Sequence, residues 1–217
     1  MEERRGPTSP EFEQATALLT AAFLDNPAHV YILPDASSRR GRLRWLLGRN
    51  VRLQASVGRG FGLVDDGRLD AMGYWHAPGA PEIGPRLMLR HGLALAPLRL
   101  GPAAVRRLLE TTDAVERARQ RAVAGRPSWL LNNMVVRETR RGSGLGSQLL
   151  AAEVADIRAR DDRSPITLAT QRPENVTFYG RLGFEVASEE RVGRGELAFT
   201  NWIMVHPPPR RSEGASA

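Results

Sequence analysis

The stretch VVRETRRGSGLGSQLL, residues 135–150, reads as a strand end, a glycine-rich turn and a helix start. Gly142, Gly144 and Gly146 alternate in it, and Leu149, Leu150, Val154 and Ile157 then mark one helix face. Upstream, SWLLNNMVV (residues 128–136) is apolar on both faces, which predicts a central strand. Glycines let the backbone turn sharply and approach a ligand closely. The free N–H groups at the following helix start, with the helix dipole, favour an anion such as phosphate. The spacing is G-x-G-x-G, not the G-x-G-x-x-G of dinucleotide sites. A Walker loop needs a lysine, and the chain has none. A turn that binds nothing stays open as the alternative.

Working outward, Ser9-Pro10-Glu11 is a helix start, and Phe12, Ala15, Leu19, Ala22 and Phe23 recur at helical spacing. That helix is predicted to stop before Asn26-Pro27. Leu43, Leu46, Leu47 and Val51 predict a second helix over about 37–57. GFGLVDDGRLDAMGYW reads as a hairpin turning at Asp66-Gly67. Residues 77–85 read as a loop, and about 86–124 as a helical insertion broken near Pro97 and Gly101-Pro102. PITLAT is another strand. Residues 175–182 form a short helix closed by Gly183. FEVASEERV and ELAFTNWIMVH make a final hairpin. The expectation is one α+β domain over 1–206, a mixed, mostly antiparallel sheet flanked by helices, then a disordered tail over 207–217. Residues 2–6 are the stretch left for a strand before the first helix.

The chain has 217 residues, enough for one domain with an insertion. No cysteine is present, which excludes disulfides and thiolate nucleophiles. The four histidines show no zinc spacing, so no metal is expected. A polar N-terminus and the lack of a long apolar run predict a cytoplasmic protein with no membrane partner. All 31 basic residues are arginine, against 24 acids. Residues 39–59 hold seven arginines and no acid, and 86–126 hold nine against three. Solvated helix faces explain these segments; an anionic ligand nearby is the sharper alternative. Nucleic acid is disfavoured, because aromatics are 6% and no binding motif is present.

Arg141-Gly142-Ser143-Gly144-Leu145-Gly146 resembles the R/Q-x-x-G-x-G/A signature of the GNAT superfamily of N-acetyltransferases. RPENVTFYGRLGF, thirty-odd residues on, resembles that superfamily's segment of an asparagine followed by F-Y-x-x-x-G-F. AAFLDNPAHVYILPD, GYWHAPG, EIGPR and SWLLNNMVV are similar to the branch that includes puromycin N-acetyltransferase. The resemblance covers most of residues 21–205. It implies a single GNAT-like domain using acetyl-CoA as cosubstrate. The implied acceptor is a primary amine of a small molecule, such as an antibiotic or secondary metabolite. A protein or peptide amine is the alternative acceptor, and a non-catalytic acyl-CoA sensor the alternative role. A monomer or homodimer is expected.

The resemblance assigns the pyrophosphate to amides of Arg141, Gly142, Ser143, Gly144, Leu145, Gly146 and Ser147. It assigns the pantetheine arm to the strand edge at Met134, Val135 and Val136, and to Asn175, which is alternatively a helix N-cap. Tyr179 matches the tyrosine that protonates the departing thiolate, while Phe178 and Phe184 read as core. An ordinary phenol stays protonated at neutral pH, so the role is chemically sound. Some members carry a glutamate on the central strand; this chain has Asn132 and Asn133. The base is therefore open among Asp25, His29, Tyr31, His76, Glu82 and a water relay. Tyr31 and Trp75 are candidate stacking surfaces for the acceptor, or else core.

Overall fold

The structure is a computed structural model that describes residues 9–81 and 83–209. The possible strand over 2–6, the candidate base Glu82 and most of the expected tail lie outside the described residues. Helix α1 (Ser9–Phe23) ends before Asn26-Pro27, and that pair starts α2 (Pro27–Ile32). Asn26 caps it by accepting from the Ala28 N–H at 3.0 Å, with Pro27 in the first turn. The predicted stop is present, and the six-residue α2 follows it directly. α3 (Ala36–Val57) is capped by Asp35, whose carboxyl is held down to about 2 by hydrogen bonds from Ser38 and Ser37.

Strands β1 (Arg59–Asp65) and β2 (Arg68–His76) form the predicted hairpin. Asp66 and Gly67 both take positive φ, at 48° and 69°, as a tight primed turn requires. The insertion folds as α4 (Pro85–Arg90), a short 3₁₀ turn, α5 (Ala96–Leu100) and α6 (Pro102–Ala122). β3 (Trp129–Val136) leads through the glycine turn to α7 (Leu145–Arg160), then β4 (Ile166–Thr170) and α8 (Pro173–Gly180). β5 (Glu185–Val192) and β6 (Phe199–His206) close the chain.

The six strands form one sheet in the order β1-β2-β3-β4-β6-β5. Only the β3–β4 pair is parallel, so the sheet is mixed and mostly antiparallel, as expected. One face packs Leu19, Leu43, Leu47, Tyr74 and Leu100 beneath α1 to α3, α5 and α6. The other packs Trp75, Leu150, Ile157, Leu168 and Met204 beneath α7 and α8. Among the described residues no helix is long and apolar enough to cross a membrane.

Tyr74 is fully buried on the first face, and among the described residues its hydroxyl has no hydrogen-bond partner. Burial pushes its phenol above the ordinary range. Tyr74→Phe should therefore leave stability at pH 7 unchanged or raise it by about 1 kcal/mol, because an unsatisfied hydroxyl is removed and the ring stays. A folded-state pKa above the unfolded value favours folding below about pH 10, and that gain is lost as pH rises further. The variant should thus hold its melting temperature better than the parent above that pH. A loss of more than about 1 kcal/mol at pH 7 in thermal melts would show a hidden partner.

Candidate functional site

β3 pairs with β4 only at its start: Trp129 opposite Ile166, Leu130 opposite Thr167 and Leu131 opposite Leu168. β4 continues to Thr170 beside β6, so the second half of β3 parts from it. The β2–β3 register also slips between Met72 and Tyr74. Asn133 sits at that slip with φ 55°, a left-handed conformation that asparagine tolerates better than most residues. Its side-chain amide donates to Asn50 Oδ1 on α3 at 2.6 Å. Asn133, one of the two asparagines on this strand, is thus a bulge residue that braces α3. The bulge and the splay leave the β3 edge from Asn132 to Val136 unpaired on its β4 side.

Beyond β3, Gly142 and Gly144 take left-handed φ of 78° and 80°. No side chain caps α7 at Gly144. The first N–H groups of α7 are left to an outside acceptor. Gly146 allows a close approach: a Cβ there would lie 2.9 Å from Val136 Cγ2. Ser143 has another task, its hydroxyl donating to the Arg140 carbonyl at 2.7 Å.

A cleft of about 860 Å³ joins these parts. Its lining includes Met134, Val135 and Val136 of β3, then Arg141, Gly142, Gly144, Leu145, Gly146 and Ser147, but not Ser143. Asn175 and Tyr179 of α8 line it too. Asn175 is not the helix cap, since Arg172 holds that place; its side chain donates to Thr170 Oγ1 at 3.0 Å. Tyr179 is 8% exposed, packed edge-on against Phe178 and Phe184. Burial pushes its phenol above the ordinary range, so it carries its proton at any working pH. Phe184 is core as expected, whereas Phe178 also lines the cleft.

The two expected stacking surfaces fall elsewhere. Trp75 is fully buried, stacked on Phe61, and its indole N–H donates to Glu153 Oε2 at 3.1 Å. Tyr31 is buried against Phe199 and Gly193. Neither lines the cleft, because the sheet core absorbs both rings. Of the described base candidates only Asp25 lines it. His29 stacks on Phe23 and is lowered to about 4 by burial, and His76 bonds Gln54 at 2.5 Å. Composition had hidden other cleft residues. Arg40, Arg172 and Arg181 line the wall, with the α1–α2 junction from Phe23 to Asn26. In a chain with 31 arginines, three in a cleft carry no sequence signal.

Residues 105–186 match the model of the acetyltransferase (GNAT) domain. That stretch contains β3, the glycine turn, α7, β4 and α8. Over 76 residues the chain is 36% identical to the 5-NmdU N-acetyltransferase of Pseudomonas phage PaMx11, covering 35% of this chain and 53% of that protein. The chain thus spans about half the length of the curated relative it matches. A solved Corynebacterium glutamicum protein described as histone acetyltransferase HPA2 and related acetyltransferase aligns with TM-score 0.62. Identity is 22%, over 95% of this chain and 96% of that one. An agmatine N-acetyltransferase aligns with TM-score 0.56 and 17% identity, over 94% and 97% of the two chains. The fold is therefore that of the GNAT acetyltransferases, and the glycine turn is the one in the matched domain.

Proposed function

We propose that the chain transfers an acetyl group from acetyl-CoA to a primary amine of a small molecule. One observation carries the reading: the uncapped α7 N-terminus, the unpaired β3 edge and Tyr179 meet in one cleft. These features fit a ligand with a diphosphate, an amide-bearing arm and a reactive sulfur in that order. Acetyl-CoA supplies a thioester whose carbonyl carbon an amine can attack and whose C–S bond then breaks. The amides from Arg141 to Ser147 receive the diphosphate, aided by the dipole of α7. The β3 edge at Met134 to Val136 pairs with the amide-bearing arm, and an N–H there steadies the carbonyl oxygen as it gains charge. Asn175 faces the same arm. Tyr179 offers its O–H to the departing sulfur. Asp25 stands at the cleft to take the proton of the amine, directly or through water.

The acceptor is inferred from the N-terminal resemblance to the puromycin N-acetyltransferase branch, which favours an antibiotic or secondary-metabolite amine. The phage relative is named for acetylation of 5-NmdU. The test is thiol release from acetyl-CoA with aminonucleosides, aminoglycosides, polyamines and peptides in parallel. Turnover with one of the first three classes, and none with peptides, is the expected result. Turnover with peptides alone overturns the acceptor class. Failure of acetyl-CoA to bind in a calorimetric titration overturns the whole reading.

A further inference from the structure

We infer that Asp70, which does not line the cleft, is a positioning residue that holds the glycine turn for the diphosphate. The inference rests on the acetyl-CoA reading above. Asp70 is the third residue of β2 and has no solvent exposure. A buried carboxylate persists only where charged partners compensate it. Here three guanidinium groups do so. Arg68 Nε lies 3.2 Å and Arg137 Nε 2.9 Å from Oδ1, and Arg140 Nε lies 3.5 Å from Oδ2. Two of the three belong to the segment that leaves β3 and enters the glycine turn.

The backbone adds to the clasp. The Arg137 N–H donates to the Asp70 carbonyl at 2.7 Å, one step past the last strand pair, Ala71 with Val136. Arg137 Nη2 reaches the Leu69 carbonyl at 2.5 Å. Arg140, which lines the cleft, is also tied to Asp65 at 3.3 Å, and its carbonyl accepts from Ser143. A chain of contacts thus runs from the buried carboxylate to the residue between the two left-handed glycines. Glycines alone leave the backbone free to wander. A diphosphate cradle needs its N–H groups aimed before the ligand arrives, so the freedom at Gly142 and Gly144 needs an anchor close by. Asp70 is that anchor.

The experiment compares acetyl-CoA with S-acetylpantetheine, which has the same thioester and arm but no diphosphate. Both are titrated calorimetrically into the parent, Asp70→Asn and Arg137→Gln. Hydrogen exchange over 138–147 is followed without ligand. The parent titration with acetyl-CoA tests the underlying reading by itself, and failure to bind overturns both. Given binding, Asp70→Asn should weaken acetyl-CoA by about tenfold or more, the size of one misaimed bond to a charged group. S-acetylpantetheine should bind as before, and exchange over 138–147 should quicken while the α7 centre stays protected. Arg137→Gln, at a half-exposed position, should do the same and decides the matter if Asp70→Asn does not fold. Equal weakening of both ligands, or none of either, overturns the assignment.

Discussion

Replacing Tyr179 with phenylalanine should lower kcat by between about tenfold and a hundredfold while leaving acetyl-CoA affinity within about twofold. The ring stays, so its contacts with Phe178 at 5.0 Å and Phe184 at 5.8 Å stay, and the melting temperature should hold. The size of the loss follows from the acidity. A phenol ordinarily sits near pKa ~10 and a thiol near ~8.5, and burial has pushed Tyr179 higher still. Full proton transfer to a free thiolate would run uphill. Burial in the same cleft raises the thiol too, which narrows the gap without closing it. In the proposed reaction Tyr179 is therefore chiefly a hydrogen-bond donor to sulfur as the C–S bond lengthens, and the thiolate takes its final proton from solvent. A hydrogen bond to a charged group contributes about 1.5–3 kcal/mol, hence the tenfold to hundredfold window rather than the larger factors of a matched acid. The sign of the pH dependence follows as well. The protonated form is the active one and its pKa is raised, so Tyr179 should cause no fall in kcat below about pH 10. Steady-state kinetics from pH 6 to 10 on parent and variant decide this. A variant with parental kcat removes Tyr179 from the chemistry.

The elements legible in the sequence were those with strong local punctuation. The Asp66-Gly67 turn and the strand–glycine–helix passage could be read directly, since positive φ at Gly67, Gly142 and Gly144 is what glycine supplies. The short α2 was not legible, because six residues show no periodicity and Asn26-Pro27 reads equally as a stop or a start. Register was hidden too. Asn133 looks like an ordinary strand residue until the β2–β3 slip is seen, so its role as a brace of α3 is not legible in the sequence. Asp70 reads as a polar residue on a strand, and only the fold brings Arg137 and Arg140 to it from far along the chain. The aromatic candidates failed for the opposite reason. Tyr31 and Trp75 have polar handles, yet Trp75 satisfies its own inside the core on Glu153.

Gly146→Ala should weaken acetyl-CoA by at least about tenfold while the melting temperature changes by only a few degrees. Gly146 is the second residue of α7, with no positive φ, so its backbone accepts alanine without strain. Helix propensity by itself would favour the change by about 1 kcal/mol. The obstacle is space. The added Cβ would lie 2.9 Å from Val136 Cγ2 and 3.6 Å from Phe178 Cζ. Valine is stiff about χ1 and cannot swing aside as a long flexible side chain could. The start of α7 must then move away from β3 by a few tenths of an ångström, at the point where the Val136 carbonyl holds Arg141 Nε at 3.3 Å. Propensity gain and clash offset in stability but not in geometry. The N–H groups of α7 and the β3 edge would no longer meet one ligand together. Gly41→Ala on the exposed side of α3 is the control, since nothing lies within 4 Å of a Cβ there. It should stabilise by up to about 1 kcal/mol and leave binding alone. Calorimetric titration with acetyl-CoA and thermal melts on both variants supply the comparison. Parental affinity in Gly146→Ala would mean that the close approach of helix and strand does not shape the site, and that Gly142 and Gly144 carry the binding geometry without it.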